Sequence, residues 1–286
     1  MKITRRENLL VLMTAALSAC SRTPAKSKTL RVVSISPNTT ETMFAIGAGD
    51  LLVGRSRYCD YPLEAQKLPT VGGYSDPNIE AIVALSPTLV IGARGPAGPT
   101  LMDSLHAHGI DTFFPETETI AAIETMSRDL GKRVDHETGA EELVRAIETG
   151  RDSLKAKLVG KPRVKVLFAF DIAPIVAAGP GSFADEVLRE AGGDNVITKG
   201  GAYPTIGLEH LLTLDPDVLL DGASDMQATK SMKERVTDAP GWKELRAVKE
   251  GRIRMVGSDA LRPGPRISGG LWAVATAIHG DDISSR

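Results

Sequence analysis

The chain has 286 residues, 42% of them hydrophobic and 24% charged, with a formal net charge of −2 and two cysteines. These values are typical of a globular protein with one large domain or two ordinary ones. The near-neutral charge offers no basic face for nucleic acid, and two cysteines exclude a disulfide framework.

The N-terminal segment resembles a bacterial lipoprotein signal. Basic residues at its start precede an apolar run at residues 9–17, and Leu17-Ser18-Ala19-Cys20 follows. The run is too short to span a bilayer core of about 30 Å. We therefore expect a signal peptide at residues 1–19, lipidation of Cys20, a polar tether at residues 20–28, and a periplasmic or cell-surface location. A cleaved secretory signal with an incidental cysteine is the alternative, and it predicts a location outside the cytoplasm as well.

Strand and helix patterns alternate from Leu30 onward. The run at residues 31–35 predicts a buried strand, and residues 40–46 predict a helix with Asn38 as N-cap and Glu41 three positions later. Short apolar runs predict further strands at residues 89–91, 111–114, 164–170 and 218–220. This alternation predicts an α/β fold with mostly parallel sheets.

One supersecondary pattern occurs twice in the chain at a constant offset. Tyr74 and Tyr203 are 129 positions apart, and the same offset relates Glu80 to Glu209 and the strand run at 89–91 to that at 218–220. Two distant copies of one unit predict two similar lobes and not a solenoid. The alternative is that helix, proline and strand form a common α/β connection that recurs without such a relation.

A long helical stripe lies between the two copies, at residues 135–158. Its apolar residues share one helical face: Ala140, Leu143, Val144, Ile147, Leu154 and Leu158. At about 1.5 Å per residue it would be roughly 36 Å long. The predicted fold is therefore two Rossmann-like lobes, at residues 29–132 and 161–286, joined by a single backbone helix within 133–160, with a ligand cleft between them.

Signatures of catalysis and metal binding are missing from the sequence. It contains no G-x-S-x-G elbow and no H-E-x-x-H motif, and Gly47-Ala48-Gly49 follows a predicted helix where a dinucleotide site needs a strand. The five histidines share no ligand spacing. We therefore expect neither an enzyme nor a metal site.

Residues after strands and before helices are the candidates for ligand binding, because ligands of open α/β sheets bind at the carboxyl ends of strands. Tyr74 and Tyr203 would each contribute one flat ring to a large, planar, partly apolar ligand. Arg94 follows the strand run at 89–91 in a Gly/Pro-rich loop, where it would donate hydrogen bonds to carboxylates or amides. The alternatives are tyrosines packed on their own lobes and a solvated arginine.

Glu80 and Glu209 form the other repeated pair. One carboxylate on each lobe would contact two basic sites on a symmetric partner. Alternatively, each is a first-turn glutamate that interacts favourably with its helix dipole.

Three stretches resemble the cobalamin-binding periplasmic proteins, a group of the helical-backbone receptors for cobalamin, haem and ferric siderophores. They are Arg57-Tyr58-Cys59-Asp60-Tyr61-Pro62, the run at 78–87, and Ser258-Asp259 with Pro265-Arg266-Ile267. The resemblance extends over about residues 30–277. It implies a monomeric receptor of an ABC importer. Glu80 and Glu209 would dock onto arginines of the dimeric permease, which works together with an ATPase.

The resemblance also implies the residues of the cleft. Tyr74 and Tyr203 fall where the cobalamin receptors carry tryptophans, and like residues occur in or beside their pocket at Tyr58, Arg94, Phe170 and Asp259. Cys59 falls at a serine of those receptors, and we interpret it as a small buried residue. The segment after Asp259 is one residue shorter than in the family.

Features similar to the haem receptors leave the ligand open. The loop Gly95-Pro96-Ala97-Gly98 and Ala177-Ala178-Gly179 are of this kind, and Tyr74 or Tyr203 would serve as the axial iron ligand by that resemblance. The hypothesis is a corrinoid receptor without a resident cofactor. The alternatives are a haem or ferric-siderophore receptor, an extracytoplasmic enzyme such as a hydrolase or chelatase, and an adaptor with an empty groove.

Overall fold

The computed structural model describes residues 29–94, 98–222, 231–237, 239–280 and 283. The predicted signal peptide and tether with Cys20, most of the Gly95–Gly98 loop, and the side chains of Ser258 and Asp259 lie outside the described residues. Within the described ranges, no helix is long and apolar enough to cross a membrane.

The N-terminal lobe is built on a four-stranded parallel sheet in the order β2-β1-β3-β4. Its elements in chain order are β1 Val32–Ser34, α1 Pro37–Ala45, β2 Leu52–Arg55, α2 Ile79–Ala84, β3 Leu89–Ile91, α3 Gly98–Ala107, β4 Asp111–Phe113 and α4 Ile120–Arg133. Every residue of β1 and β3 is buried, as expected for central parallel strands covered on both faces.

The first helix starts earlier than predicted, so Asn38 as its N-cap is wrong. The N-cap is Ser36, and Pro37 occupies the first turn, where its fixed φ suits a helix start and its missing N–H costs nothing. Asn38 is the second residue of the helix, and its side-chain oxygen accepts a hydrogen bond from Thr39 N at 2.8 Å.

A single helix, α5, spans Glu137–Leu158 and joins the lobes. Its 22 residues correspond to about 33 Å. Arg151 on this helix pairs with Glu124 of α4 at 3.1 Å and with Glu190 of the second lobe. Its contacts with both lobes make α5 a stiff connection between them.

The C-terminal lobe has a mixed six-stranded sheet in the order β10-β9-β5-β6-β8, with β7 beside β5. Its elements are β5 Val164–Ile172, β6 Ile175–Ala177, α6 Phe183–Glu190, β7 Gly193–Asn195, β8 Thr205–Ile206, α7 Leu208–Leu214, β9 Val218–Asp221, α8 Met232–Thr237, α9 Arg246–Lys249, β10 Ile253–Met255 and α10 Ile267–His279. Strands β7, β9 and β10 are parallel to β5, whereas β6 is antiparallel to it and to β8.

The repeated sequence forms the same unit in both lobes. Helix α2 leads into β3, and α7 leads into β9, each next to the first strand of its sheet. Ser86 and Asp215 end these helices with positive φ values of 48° and 40°, each directly before a proline. The predicted α/β fold of two lobes, mostly parallel sheets and one backbone helix is confirmed.

Candidate functional site

The segment before α10 brings the C-terminal lobe against the start of α1. Glu41 is buried, with its side chain 2% exposed, and its carboxylate pairs with Arg262 at 3.1 Å and with Arg266 at 2.8 Å. A buried carboxylate requires such partners, because leaving it uncompensated costs several kcal/mol. This cluster joins the segment after the carboxyl end of β1 to the segment after the carboxyl end of β10, and the space between these two lobe edges is the candidate cleft.

On the N-terminal side of the cleft, Tyr74 is held in place by a hydrogen bond. Its hydroxyl donates to the backbone carbonyl of Arg94 at 3.1 Å, and the half-buried ring lines a cavity of about 100 Å³. The other lining residues come from the same lobe: Ile35, Ala93, Arg94, Gly98, Leu101, Met102 and Phe114. Tyr74 therefore packs against residues of its own lobe, and its hydroxyl is hydrogen-bonded within that lobe.

Arg94 and Tyr58 lie on the same lobe with partners of their own. The guanidinium of Arg94 pairs with Glu116, and both side chains are largely exposed. Tyr58 is half exposed, and its ring lies 4.9 Å beneath the guanidinium of Arg57, which pairs with Asp76 at 2.8 Å. Because Asp76 lies two positions after Tyr74, this ion pair places Tyr58 close to the Tyr74 loop.

On the C-terminal side, three aromatic rings form a row in which each ring contacts the next. Phe168 is stacked on Phe170 with centroids 5.6 Å apart, and Phe170 makes a T-shaped contact with Tyr203 with centroids 5.7 Å apart. Tyr203 remains 54% exposed at the end of the series. Phe170 and Tyr203 line a cavity of about 240 Å³ together with Phe183, Ala184, Leu261, Pro263 and Glu118.

Glu118 links the two sides of the cleft. It belongs to the N-terminal lobe, between β4 and α4, yet it lines the cavity of the C-terminal aromatic rings. Burial raises the pKa of Tyr74 and that of Tyr203, and the negative charge of Glu118 adds to both increases. The two repeat-related tyrosines therefore lie within electrostatic range of the same carboxylate, although they line separate cavities.

Comparison with known proteins identifies the family to which this chain belongs. A family model described as periplasmic binding protein matches residues 32–260. The chain belongs to the periplasmic binding protein family. It is 30% identical to the vitamin B12-binding protein of Vibrio parahaemolyticus over 251 residues, which cover 86% of this chain and 88% of the relative.

Two solved structures from Vibrio cholerae share the fold of this periplasmic binding protein. The periplasmic vitamin B12 binding protein is 25% identical, with a TM-score of 0.73, and the match covers 87% of this chain and 96% of the other. The periplasmic haem-binding protein is 23% identical, with a TM-score of 0.79 and coverages of 87% and 99%. Family membership fits a periplasmic location and a role in binding a small molecule.

The two predicted docking glutamates of this periplasmic binding protein are both exposed. Glu80 and Glu209 lie in the first turns of α2 and α7, one on each lobe. Among the described residues, neither carboxylate has a hydrogen bond or an ion pair. The start of α2 is instead capped by Asn78, whose side chain accepts from Ala81 N at 3.0 Å. Both glutamates are thus free to contact a partner.

Sequence reasoning missed Glu118, Leu261 and Pro263. Glu118 could have been found with the rule that selected Arg94, because it follows the end of β4 by five residues. Leu261 and Pro263 carry no pattern of their own, and only the path of the segment before α10 brings them to the cleft.

Two other sites do not add to the cleft. Cys59 is buried, and burial raises the pKa of its thiol, which agrees with a packed residue and not a nucleophile. A cavity of about 650 Å³ lies near the amino ends of β5 and β7, away from the cleft, and the ion pair of Arg151 with Glu190 lies in its lining. In the part of the chain that the structure describes, no cluster of His, Cys, Asp or Glu could hold a metal ion.

Proposed function

We propose that this protein captures a corrinoid such as cobalamin in the interlobe cleft and delivers it to an ABC permease without altering it. The observation that carries the proposal is a cavity between the lobes that Phe170 and Tyr203 line from one side and Glu118 from the other, with Tyr74 within electrostatic range of the same carboxylate. Flat rings from two sides suit a broad ligand with an apolar body and polar edges. The vitamin B12-binding relatives support this choice of ligand.

Within this proposal, each predicted site residue has a part. Tyr58, Tyr74, Phe170 and Tyr203 pack against the macrocycle, and Arg94 exchanges Glu116 for polar groups of the ligand. Asp259 is included on the family resemblance alone, as an acceptor for ligand amides. Glu80 and Glu209 dock onto the permease, and the lipid on Cys20 retains the receptor at the membrane.

Calorimetric titration of the mature protein with cyanocobalamin, haemin and a ferric hydroxamate tests the ligand. We expect cyanocobalamin to bind with the highest affinity and to be recovered unchanged afterwards. A Soret shift with haemin that disappears in Tyr74→Phe or Tyr203→Phe would replace the corrinoid by haem. Chemical alteration of the recovered ligand would indicate an enzyme.

Haem remains the second candidate because a tyrosine lines a cavity on each lobe and the fold is shared with the haem-binding protein of Vibrio cholerae. Its requirement is specific: one tyrosinate must bind the iron. The phenylalanine variants remove only the hydroxyl, so they separate iron ligation from ring packing.

A further inference from the structure

We propose that Glu118 is a specificity-determining residue of the cleft, which accepts hydrogen bonds from amide or cationic groups on the rim of the ligand and disfavours ligands with a carboxylate at that position. The inference rests on the proposed capture of a macrocycle in the cleft, and it adds a residue that selects the chemistry of the ligand's edge.

The backbone around Glu118 explains why its side chain is available. Residues 116–118 follow the end of β4, and their side chains are exposed, buried and exposed in turn. The buried Thr117 accepts a hydrogen bond from Asn38 Nδ2 at 3.5 Å, which anchors the segment to α1. With Thr117 directed inward, Glu116 and Glu118 are presented to the cleft side of the lobe.

The two presented carboxylates differ in their partners. Glu116 is paired with Arg94. Glu118, within the described ranges of the chain, has no hydrogen bond and no ion pair. An ionised carboxylate only accepts hydrogen bonds, so Glu118 is complementary to N–H donors of a ligand and repels another carboxylate.

The surroundings of Glu118 strengthen this selection. Its cavity is lined on the other side by Phe170, Tyr203 and Leu261, which supply apolar surface and little competing hydrogen bonding. A ligand that fills the cavity would exclude water from the carboxylate, and electrostatic interactions become stronger as the local dielectric falls. A corrinoid carries amides on its periphery, whereas haem carries two propionates, so Glu118 favours the corrinoid.

The test compares Glu118→Gln with Asp111→Asn. Asp111 is exposed at the opposite end of β4, so this control removes the same charge from the same lobe away from the cleft. Calorimetry measures cyanocobalamin and each monocarboxylic acid formed by hydrolysing one of its peripheral amides. We expect at least one acid to bind the unmodified protein about tenfold more weakly than cyanocobalamin, as loss of one hydrogen bond to a charged group predicts.

In Glu118→Gln that difference should fall to within about threefold, because the neutral amide no longer repels the acid. Asp111→Asn should keep it. An unchanged ratio in Glu118→Gln for every acid, or an equal change in the control, would overturn the assignment.

Ultraviolet titration of the tyrosines provides a readout that needs no ligand. Removing the charge of Glu118 should move the ionisation of Tyr74 and Tyr203 to lower pH, and removing that of Asp111 should not.

If the unmodified protein does not bind cyanocobalamin, the corrinoid proposal fails by itself. Selection is then measured with haemin and its bis-amide: Glu118→Gln should raise the affinity for haemin alone, and equal changes for both would overturn the inference.

Discussion

The two lobes carry the same tyrosine at equivalent positions, but they hold it differently. Tyr74 is half-buried, with its hydroxyl donated to the carbonyl of Arg94. Tyr203 is 54% exposed, and its ring makes a T-shaped contact with that of Phe170. No hydrogen bond from the Tyr203 hydroxyl is found in the described part of the chain. The repeat therefore specifies the position of a tyrosine in each lobe. The residues around each tyrosine determine whether its side chain is held by a hydrogen bond or left exposed to a ligand.

The docking faces provide the strongest test of equivalence between the lobes. If Glu80 and Glu209 each contact a basic site of the permease, the double charge reversal to lysine should lower uptake about a hundredfold, because like charges would then meet. Uptake of radiolabelled cyanocobalamin is measured in cells in which this chain is the only receptor.

Each single reversal should have a smaller, similar effect, as expected for symmetric docking. Affinity for cyanocobalamin, measured by calorimetry on the same variants, should not change. A loss of affinity that parallels the loss of uptake would mean that the glutamates serve the fold or the cleft and not docking.

The contacts of α5 with the two lobes provide a test of stability. A Cβ at Gly139 would clash with the carbonyl oxygen of Ile46 in the N-terminal lobe, and one at Gly150 would clash with the Ser268 side chain in the C-terminal lobe. Backbone cannot move as easily as a serine side chain. We expect Gly139→Ala to lower the free energy of unfolding by about 2–3 kcal/mol and Gly150→Ala by about 1 kcal/mol.

Urea denaturation measures both values. The second variant has its own control: Ser268→Gly added to Gly150→Ala should restore most of the stability, whereas an undiminished loss would show that packing against α10 is not the cause.

Substituting the two tyrosines should affect the stability of the protein differently but should weaken ligand binding similarly. Alanine at either position should lower the affinity for cyanocobalamin at least about tenfold, because each removes a ring from the cleft. Tyr74→Ala should also cost about 1–2 kcal/mol of unfolding free energy, since it removes a half-buried ring and its hydrogen bond. Tyr203→Ala should cost less than about 0.5 kcal/mol. Equal losses of stability would contradict the difference between the lobes.

The smallest expected effect concerns the place where one lobe caps a helix of the other. Glu186 of α6 accepts a hydrogen bond from Ile120 N, at the start of α4, at 3.1 Å. Burial is the main reason that its pKa is raised; the Ile120 N–H opposes this, and Glu190 adds to it. A raised folded-state pKa means that the ionised group lowers stability once the pH exceeds its unfolded pKa.

Glu186→Gln should therefore increase the free energy of unfolding at pH 7 by less than about 1 kcal/mol, because the carboxylate is only partly buried. The difference should shrink towards zero as the pH falls below the ordinary glutamate pKa. Urea denaturation at pH 7 and near pH 4 measures it. A variant that is less stable at pH 7 would show that the charged form is favoured instead.

Much of the architecture was predictable from local patterns, but the start of α1 shows their limit. The strand at Leu89–Ile91 has the predicted bounds, because an apolar run this short fits a buried strand and is too short for a helix. The N-cap was misplaced because Asn38 has a high capping propensity, yet Pro37 fits the first turn better. Glu41, predicted as a capping partner, is instead buried against two arginines more than 200 positions later.

The sequence by itself determined two related lobes, a long helix between them and a tyrosine and a glutamate at equivalent positions in each. Periodicity and repetition are local properties, so they can be recognised without coordinates. Only the tertiary structure decided that Glu118 lines a cavity with Tyr203 within electrostatic range of Tyr74, and that Glu41 joins the lobes by pairing with Arg262 and Arg266. Those relations depend on how α5 sets one lobe against the other, and no pattern within either lobe contains that orientation.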